Sequence, residues 1–170
     1  LHDLVHRTIP KKFGEKLNVI YQSAPALSSP RQPSKRNFDI CVIGHLRDEK
    51  DSLRAAYAAR LATAESKLRI LHLGKAHNKE WAQTAAKEAK DNPRFKSLGE
   101  VPGWRVRRQF STSHAMVMSS VMEGGANVVS EAVAAGLPVI ASHIDGNVGL
   151  LGKDYDGYYP AQDTEALAAL

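Results

Sequence analysis

The chain has 170 residues, 43% of them hydrophobic and 24% charged, a size and composition ordinary for one soluble globular domain with its own core. Its 23 basic and 18 acidic side chains give a net charge of +5, which favours anionic ligands and leaves phosphate-bearing substrates and nucleic acid equally open. No apolar run approaches the roughly 18 to 20 residues that span a bilayer, no apolar signal segment opens the chain, and its single cysteine excludes an internal disulfide, so a cytoplasmic location is the expectation.

Residues 1–35 are basic and irregular, with a short apolar piece at Leu17 to Tyr21 and a Ser/Pro-rich stretch from Ser23 to Ser34 that reads as a linker or surface loop. The expected division is a linker and edge segment over 1–35 and a domain over 36–170. The apolar run Phe38-Asp39-Ile40-Cys41-Val42-Ile43 predicts a buried strand, with Cys41 as core packing and not a nucleophile. It runs into Gly44-His45-Leu46-Arg47-Asp48-Glu49-Lys50. There Gly44 lets backbone approach a ligand closely, and Arg47 as a fork and Lys50 as a point charge could neutralise a diphosphate. A solvated, charged loop is the alternative.

Helical spacing follows over Ser52 to Ala64, then an apolar strand at 69–73, a helix over Lys79 to Lys90 and a weak strand at Phe95 to Leu98. The loop Ser97-Leu98-Gly99-Glu100-Val101-Pro102 precedes a helix from Trp104 to Ser111, whose Trp104-Arg105-Val106-Arg107-Arg108 reads either as one apolar and one basic face or as a nucleic-acid patch. A strand at 115–118 leads through a glycine loop to a helix over Asn127 to Ala135, stopped by Gly136 and Pro138. After a strand at 138–141, Asp145 to Gly152 is rich in turn-formers, and Asp154-Tyr155-Asp156 reads as a surface turn more than as a metal-binding Asp-x-Asp. The chain starts without methionine and stops inside the helical pattern Asp163 to Leu170, as an excised domain would. Short apolar strands alternating with helices predict an α/β fold, a Rossmann-like, doubly wound parallel sheet whose ligands bind beyond the carboxyl ends of the strands.

The most informative stretch is Glu123-Gly124-Gly125-Ala126-Asn127-Val128-Val129-Ser130-Glu131. The first N–H groups of the helix starting at Asn127 lack intrahelical partners and carry partial positive charge, which suits an anion. Glu123 lies on the loop before that site and Glu131 about one turn into the helix, at roughly 1.5 Å rise per residue. Phosphate between two carboxylates, each free to take hydroxyls, suits a nucleotide-sugar. Two exposed glutamates on an ordinary helix are the plainer alternative. No Gly-x-Gly-x-x-Gly or Walker lysine loop is present, and the seven histidines lack ligand spacing, although His45 and His143 follow predicted strands.

This glutamate pair, with seven residues between, resembles the donor-site motif of retaining glycosyltransferases of the GT-B fold, family four, often called group 1. The resemblance implies one half of a GT-B architecture, with an acceptor-binding N-terminal domain outside this chain. It implies that Glu123 contacts the transferred sugar, that Glu131 holds the ribose, and that Gly124, Gly125, Ala126, Asn127 and Val128 line the sugar and diphosphate. The family's Gly-Arg loop is matched by Gly44 and His45, with Lys50 as its lysine and Arg47 as the substitute arginine; Val101 falls where backbone groups cup the base. Asp145 to Gly152 matches the loop that closes over the donor sugar. The expected chemistry is transfer from a UDP-sugar with no metal or other cofactor, Glu123, Arg47 and Lys50 being the catalytic candidates. Gly44-His45-Leu46-Arg47, Gly99-Glu100-Val101-Pro102, Met122 through Ala132 and Gly146 to Gly152 are together similar to a bacterial subgroup that includes selenosugar synthases, which implies selenophosphate as acceptor. A nucleic-acid-binding module and a sugar-nucleotide epimerase of the same fold are the alternatives, nucleic acid not being the expected partner.

Overall fold

The computed structural model describes residues 2–170, in which six strands form one parallel sheet in the order β3-β2-β1-β4-β5-β6. They are β1 (Phe38–Ile43), β2 (Leu68–Leu73), β3 (Phe95–Ser97), β4 (Ala115–Met118), β5 (Val139–Ser142) and β6 (Tyr158–Tyr159). β1 is central, pairing with β2 along its length, from Phe38 opposite Leu68 to Ile43 opposite Leu73, and with β4 at Cys41 opposite Met116. All four residues of β4 are buried, as a strand covered on both faces requires.

Alternation along the strands feeds two cores. On one face Cys41, Leu71 and Met116 meet Phe110 of α3 (Gly103–Thr112) and Val129 and Ala132 of α4 (Asn127–Ala134). On the other, Val42, Ile70 and Val117 meet the alanines of α1 (Arg54–Ala59), Ala85 of α2 (Lys79–Asp91) and Leu167 of α6 (Thr164–Ala169). Helices on both faces of a parallel sheet make this a doubly wound, Rossmann-like fold. Asn78 and Asp163 cap α2 and α6 through their side chains.

Three elements depart from expectation. The helix expected over Ser52 to Ala64 forms only from Arg54 to Ala59. A 3-10 turn at Asp48–Lys50 ends on Asp51 in the left-handed region (φ 42°), and beyond Ala59 the bonds tighten to the i to i+3 type at Arg60, Leu61 and Ala62. The turn-rich stretch expected at Asp145 to Gly152 is instead α5 (Asp145–Leu151), whose glycines serve close packing, not turning. The two-residue strand β6 has no counterpart in the sequence reading; it is too short to show a period.

The N-terminal segment carries 3-10 turns at Asp3–Arg7 and Lys11–Lys16 and then runs without helix or strand, through bends at 28–29 and 35–37, to Asn37. Arg31 fixes it, donating to the carbonyls of Gly136 (2.7 Å), Ser113 (2.5 Å) and Phe110 (3.3 Å). No helix among the described residues is long and apolar enough to cross a membrane.

Candidate functional site

The chain turns one way from β1 to β2 and the other way from β4 to β5, so a crevice opens between the carboxyl ends of β1 and β4, the switch point of a doubly wound sheet. Backbone bonds stitch the two loops there. Val121 N–H donates to Glu49 O at 2.9 Å, and the buried Ser119 hydroxyl reaches Asp51 O at 2.8 Å and Lys50 O at 3.1 Å. Lys50 and Glu123, 73 positions apart in sequence, are thereby brought into an ion pair. Their side chains are 17% and 10% exposed, so the pair is shielded from solvent without being sealed off. Ser120 Oγ donates to the same oxygen of Glu123, Oε1, at 2.6 Å, while Oε2 has no partner among the described residues.

Beside the pair lies a cleft of about 420 Å³. Gly44, His45, Arg47 and Lys50 line it from the loop after β1, Val101 from the loop after β3, and Ala126, Asn127 and Val128 from the start of α4. Ala126 offers α4 no side-chain cap; Val129 N–H is taken by Ala126 O at 3.0 Å, which leaves the Asn127 and Val128 amides to meet a ligand. His45 Nδ1 accepts from Lys75 N–H at 3.1 Å, which puts the ring hydrogen of the neutral imidazole on Nε2. Arg47 is half exposed at the rim, 3.7 Å from Glu49.

Glu123, Gly124, Gly125 and Glu131 do not line this cleft. Glu123 adjoins it through Lys50. Gly125 sits in the left-handed region at φ 111°, a conformation only glycine adopts freely, and its carbonyl accepts from Gln22 Nε2 at 3.3 Å. Glu131 lies on α4, half buried, its carboxylate without a hydrogen-bond or ion-pair partner among the described residues.

Several contributors carry no linear signal. Gly74 passes so close to Gly44 that a Cβ on it would lie 1.9 Å from the Gly44 oxygen. His72, fully buried, has Nε2 2.9 Å from that same oxygen, and burial pushes its pKa down, so it is neutral and donates. Ser119 and Ser120 follow β4 directly; small polar residues at the carboxyl end of a central strand are the one hint the sequence offers.

Other sequence candidates fall elsewhere. Cys41 is fully buried, its thiol pushed up to about 12 by burial, in keeping with a packing role. Arg107 turns to the N-terminal segment, donating to Ala26 O (2.7 Å) and Pro25 O (3.2 Å), while Arg105 lies over Trp104. The three arginines of α3 therefore do not share one task. Tyr155, between Asp154 and Asp156, donates to Val139 O at 2.5 Å and closes a turn. Exposed His143 meets the Tyr158 ring edge-on. Among the described residues, no three His, Cys, Asp or Glu side chains converge as metal ligands.

Residues 26–170 match the family model described as "Glycosyl transferases group 1". Among solved structures, the chain is similar to the lipopolysaccharide outer core galactosyltransferase WaaB in its apo form (TM-score 0.74, 18% identity, 98% of this chain and 47% of that one). It is also similar to Anabaena Alr3699/HepE in complex with UDP-glucose (0.69, 17%, 78% and 37%). A third similar structure is the catalytic domain of cholesterol-alpha-glucosyltransferase from Helicobacter pylori (0.66, 17%, 78% and 82%). At these identities the likeness is one of fold, and the chain spans less than half the length of the first two. No curated protein matches the chain.

Proposed function

We propose that this chain, which belongs to the group 1 glycosyltransferase family, holds a UDP-sugar donor for a metal-independent retaining glycosyl transfer. One observation carries the reading: Lys50 and Glu123 meet at the switch point beside the uncapped start of α4 and its cleft. A cation and helix amides stand where a diphosphate's charge would be met, and a carboxylate with one oxygen open stands where a sugar hydroxyl would donate. HepE, of the same fold, was crystallised with UDP-glucose, which supports the donor class.

In this reading the diphosphate lies over the α4 N-terminus, against Lys50, Arg47 and the Nε2–H of His45, with Gly44 allowing close approach. Glu123 meets the sugar, Gly124 to Val128 line sugar and diphosphate, Val101 adjoins the base, and Glu131 takes the ribose. Charge developing on the departing diphosphate is met by cations and amides already oriented for it, so the barrier falls without a metal. The acceptor comes from an N-terminal domain beyond this chain. The resemblance of the loop combination to the selenosugar-synthase subgroup leads us to propose selenophosphate as the acceptor. A whole protein that glycosylates ordinary alcohols and ignores selenophosphate would refute that step alone.

Calorimetric titration with UDP, UDP-N-acetylglucosamine and UDP-glucose, without metal, tests the donor reading against Lys50→Ala and Glu131→Ala. Binding that weakens about tenfold or more in both variants, about 1.4 kcal/mol each, is the expected result. Equal binding by the variants, or none by the parent, would sink it; UDP-sugar turnover without any acceptor would point to the epimerase.

A further inference from the structure

We propose that Ser142 and Asn147, acting through Ser120, are positioning residues that hold Glu123 at the angle from which it reads the donor sugar. This rests on the donor reading above. The three side chains are fully buried, and together with the Ser120 backbone carbonyl they lead to Glu123. Asn147 Nδ2, on α5, donates to Ser142 O at 2.9 Å and to Ser142 Oγ at 3.1 Å. Ser142 Oγ, its own proton thereby aimed away, donates to Ser120 O at 2.5 Å across the ends of β5 and β4. Ser120 Oγ then donates to Glu123 Oε1 at 2.6 Å, the oxygen that also takes Lys50.

A hydroxyl has a single proton, and Ser142 gives it to Ser120 O while its lone pair takes the Asn147 amide, so its donor role and an acceptor role are both filled within the path. The bond from Ser142 holds the Ser120 carbonyl, and with it the backbone from which the Ser120 hydroxyl reaches Glu123. With Oε1 holding two donors, only Oε2 of Glu123 remains open, and its direction is fixed. Backbone packing agrees: Gly146 lies so close that a Cβ on it would stand 2.2 Å from Glu123 O. The path is not simply core filling, since Asn147 Oδ1 is buried without a partner among the described residues. An apolar side chain of similar size would avoid that orphan acceptor.

The test compares UDP with UDP-glucose, because only the second brings a sugar to Glu123. Parent, Ser142→Ala, Ser142→Thr, Glu123→Ala and the Ser142→Ala/Glu123→Ala double variant are titrated with both, with melting curves to verify folding. In Ser142→Ala, UDP binding is expected to stay within about twofold of the parent, while the UDP-glucose to UDP affinity ratio falls about tenfold. Ser142→Thr, which keeps the hydroxyl, restores the ratio, and the double variant loses no more than Glu123→Ala alone, as residues acting in series must. An equal loss for both ligands, or additive losses in the double variant, would leave Ser142 a merely structural residue and overturn the proposal. If the parent binds both ligands and Glu123→Ala leaves the ratio unchanged, the role of Glu123 fails; if the parent binds neither, the donor reading fails and takes this inference with it.

Discussion

His72 lies at the end of β2 with Nε2 on the Gly44 carbonyl and Nδ1 3.4 Å from Ser97 Oγ. Burial lowers its pKa, the bond to Gly44 opposes the shift, and neighbouring His45 adds to it. The sign of the linkage follows. The folded state resists protonation, so the unfolded chain, titrating near pH 6.5, takes the proton first. The stability contributed by neutral His72 is therefore complete above about pH 6.5 and is lost as pH falls from there through the lower folded value. Denaturant midpoints of the parent and of His72→Gln, measured from about pH 7.5 to about pH 5, are expected to diverge, the parent falling more steeply. Parallel curves would show that another group carries the acid sensitivity. Glu123 and Lys50 make the same point for function: their pairing depends on how two loops are held and on neither residue alone.

α5 shows how an element acts on the site without facing it. A methyl on Gly146 would lie 2.2 Å from Glu123 O and 2.8 Å from Glu123 Cβ, and the first of these atoms is backbone that cannot turn aside. Gly146→Ala should lower stability by about 1–3 kcal/mol through overpacking and, by shifting the Glu123 loop, abolish the preference for UDP-sugars. Gly103→Ala is the control: it opens α3 with nothing within 4 Å of the added carbon, and helix propensity makes it neutral or slightly stabilising. Chemical denaturation of both variants checks the contrast, and equal losses would show that clearance at Gly146 is not what matters. The same glycine explains what the sequence conceals. Phe38–Ile43, Lys79–Asp91 and Asn127–Ala134 were legible because their apolar periods are local. Gly146 and Gly149 look like turn residues until the backbone and ring they pack against are known. In the same way Lys50, Val101 and Asn127 stand in linear motifs, whereas Ser142 and Asn147 gain meaning only from neighbours on other strands.

At the scale of the molecule, the strand order places the β1 and β4 loops at the switch point, while the end of β5 and α5 brace the β4 loop from one side. The N-terminal segment joins that brace. His2 is 3% exposed and its ring lies against α5 so tightly that a Cβ on Gly149 would be 2.4 Å from Nδ1; Val5 is buried nearby. Arg7 also pairs with Asp145 at 3.2 Å, but both side chains are about half exposed, so this pair adds little. The family match begins only at residue 26, after this contact. A chain starting at Ala26 is therefore expected to keep its sheet, since the two cores draw nothing from before Leu27. It should still lose the packing of His2 and Val5. That loss, about 1–2 kcal/mol of burial, corresponds to a melting temperature lower by about 2–8 °C. Because the uncovered surface is that of α5, hydrogen exchange should quicken at Asp145–Leu151 and leave β1 and β4 protected. The truncation also removes Gln22 and its bond to Gly125 O, so the loop of Glu123 loses support from that side as well as from α5, and the preference for UDP-sugars should weaken more than UDP affinity does. Unchanged exchange in α5 would mean that the segment lies on the domain without bracing it.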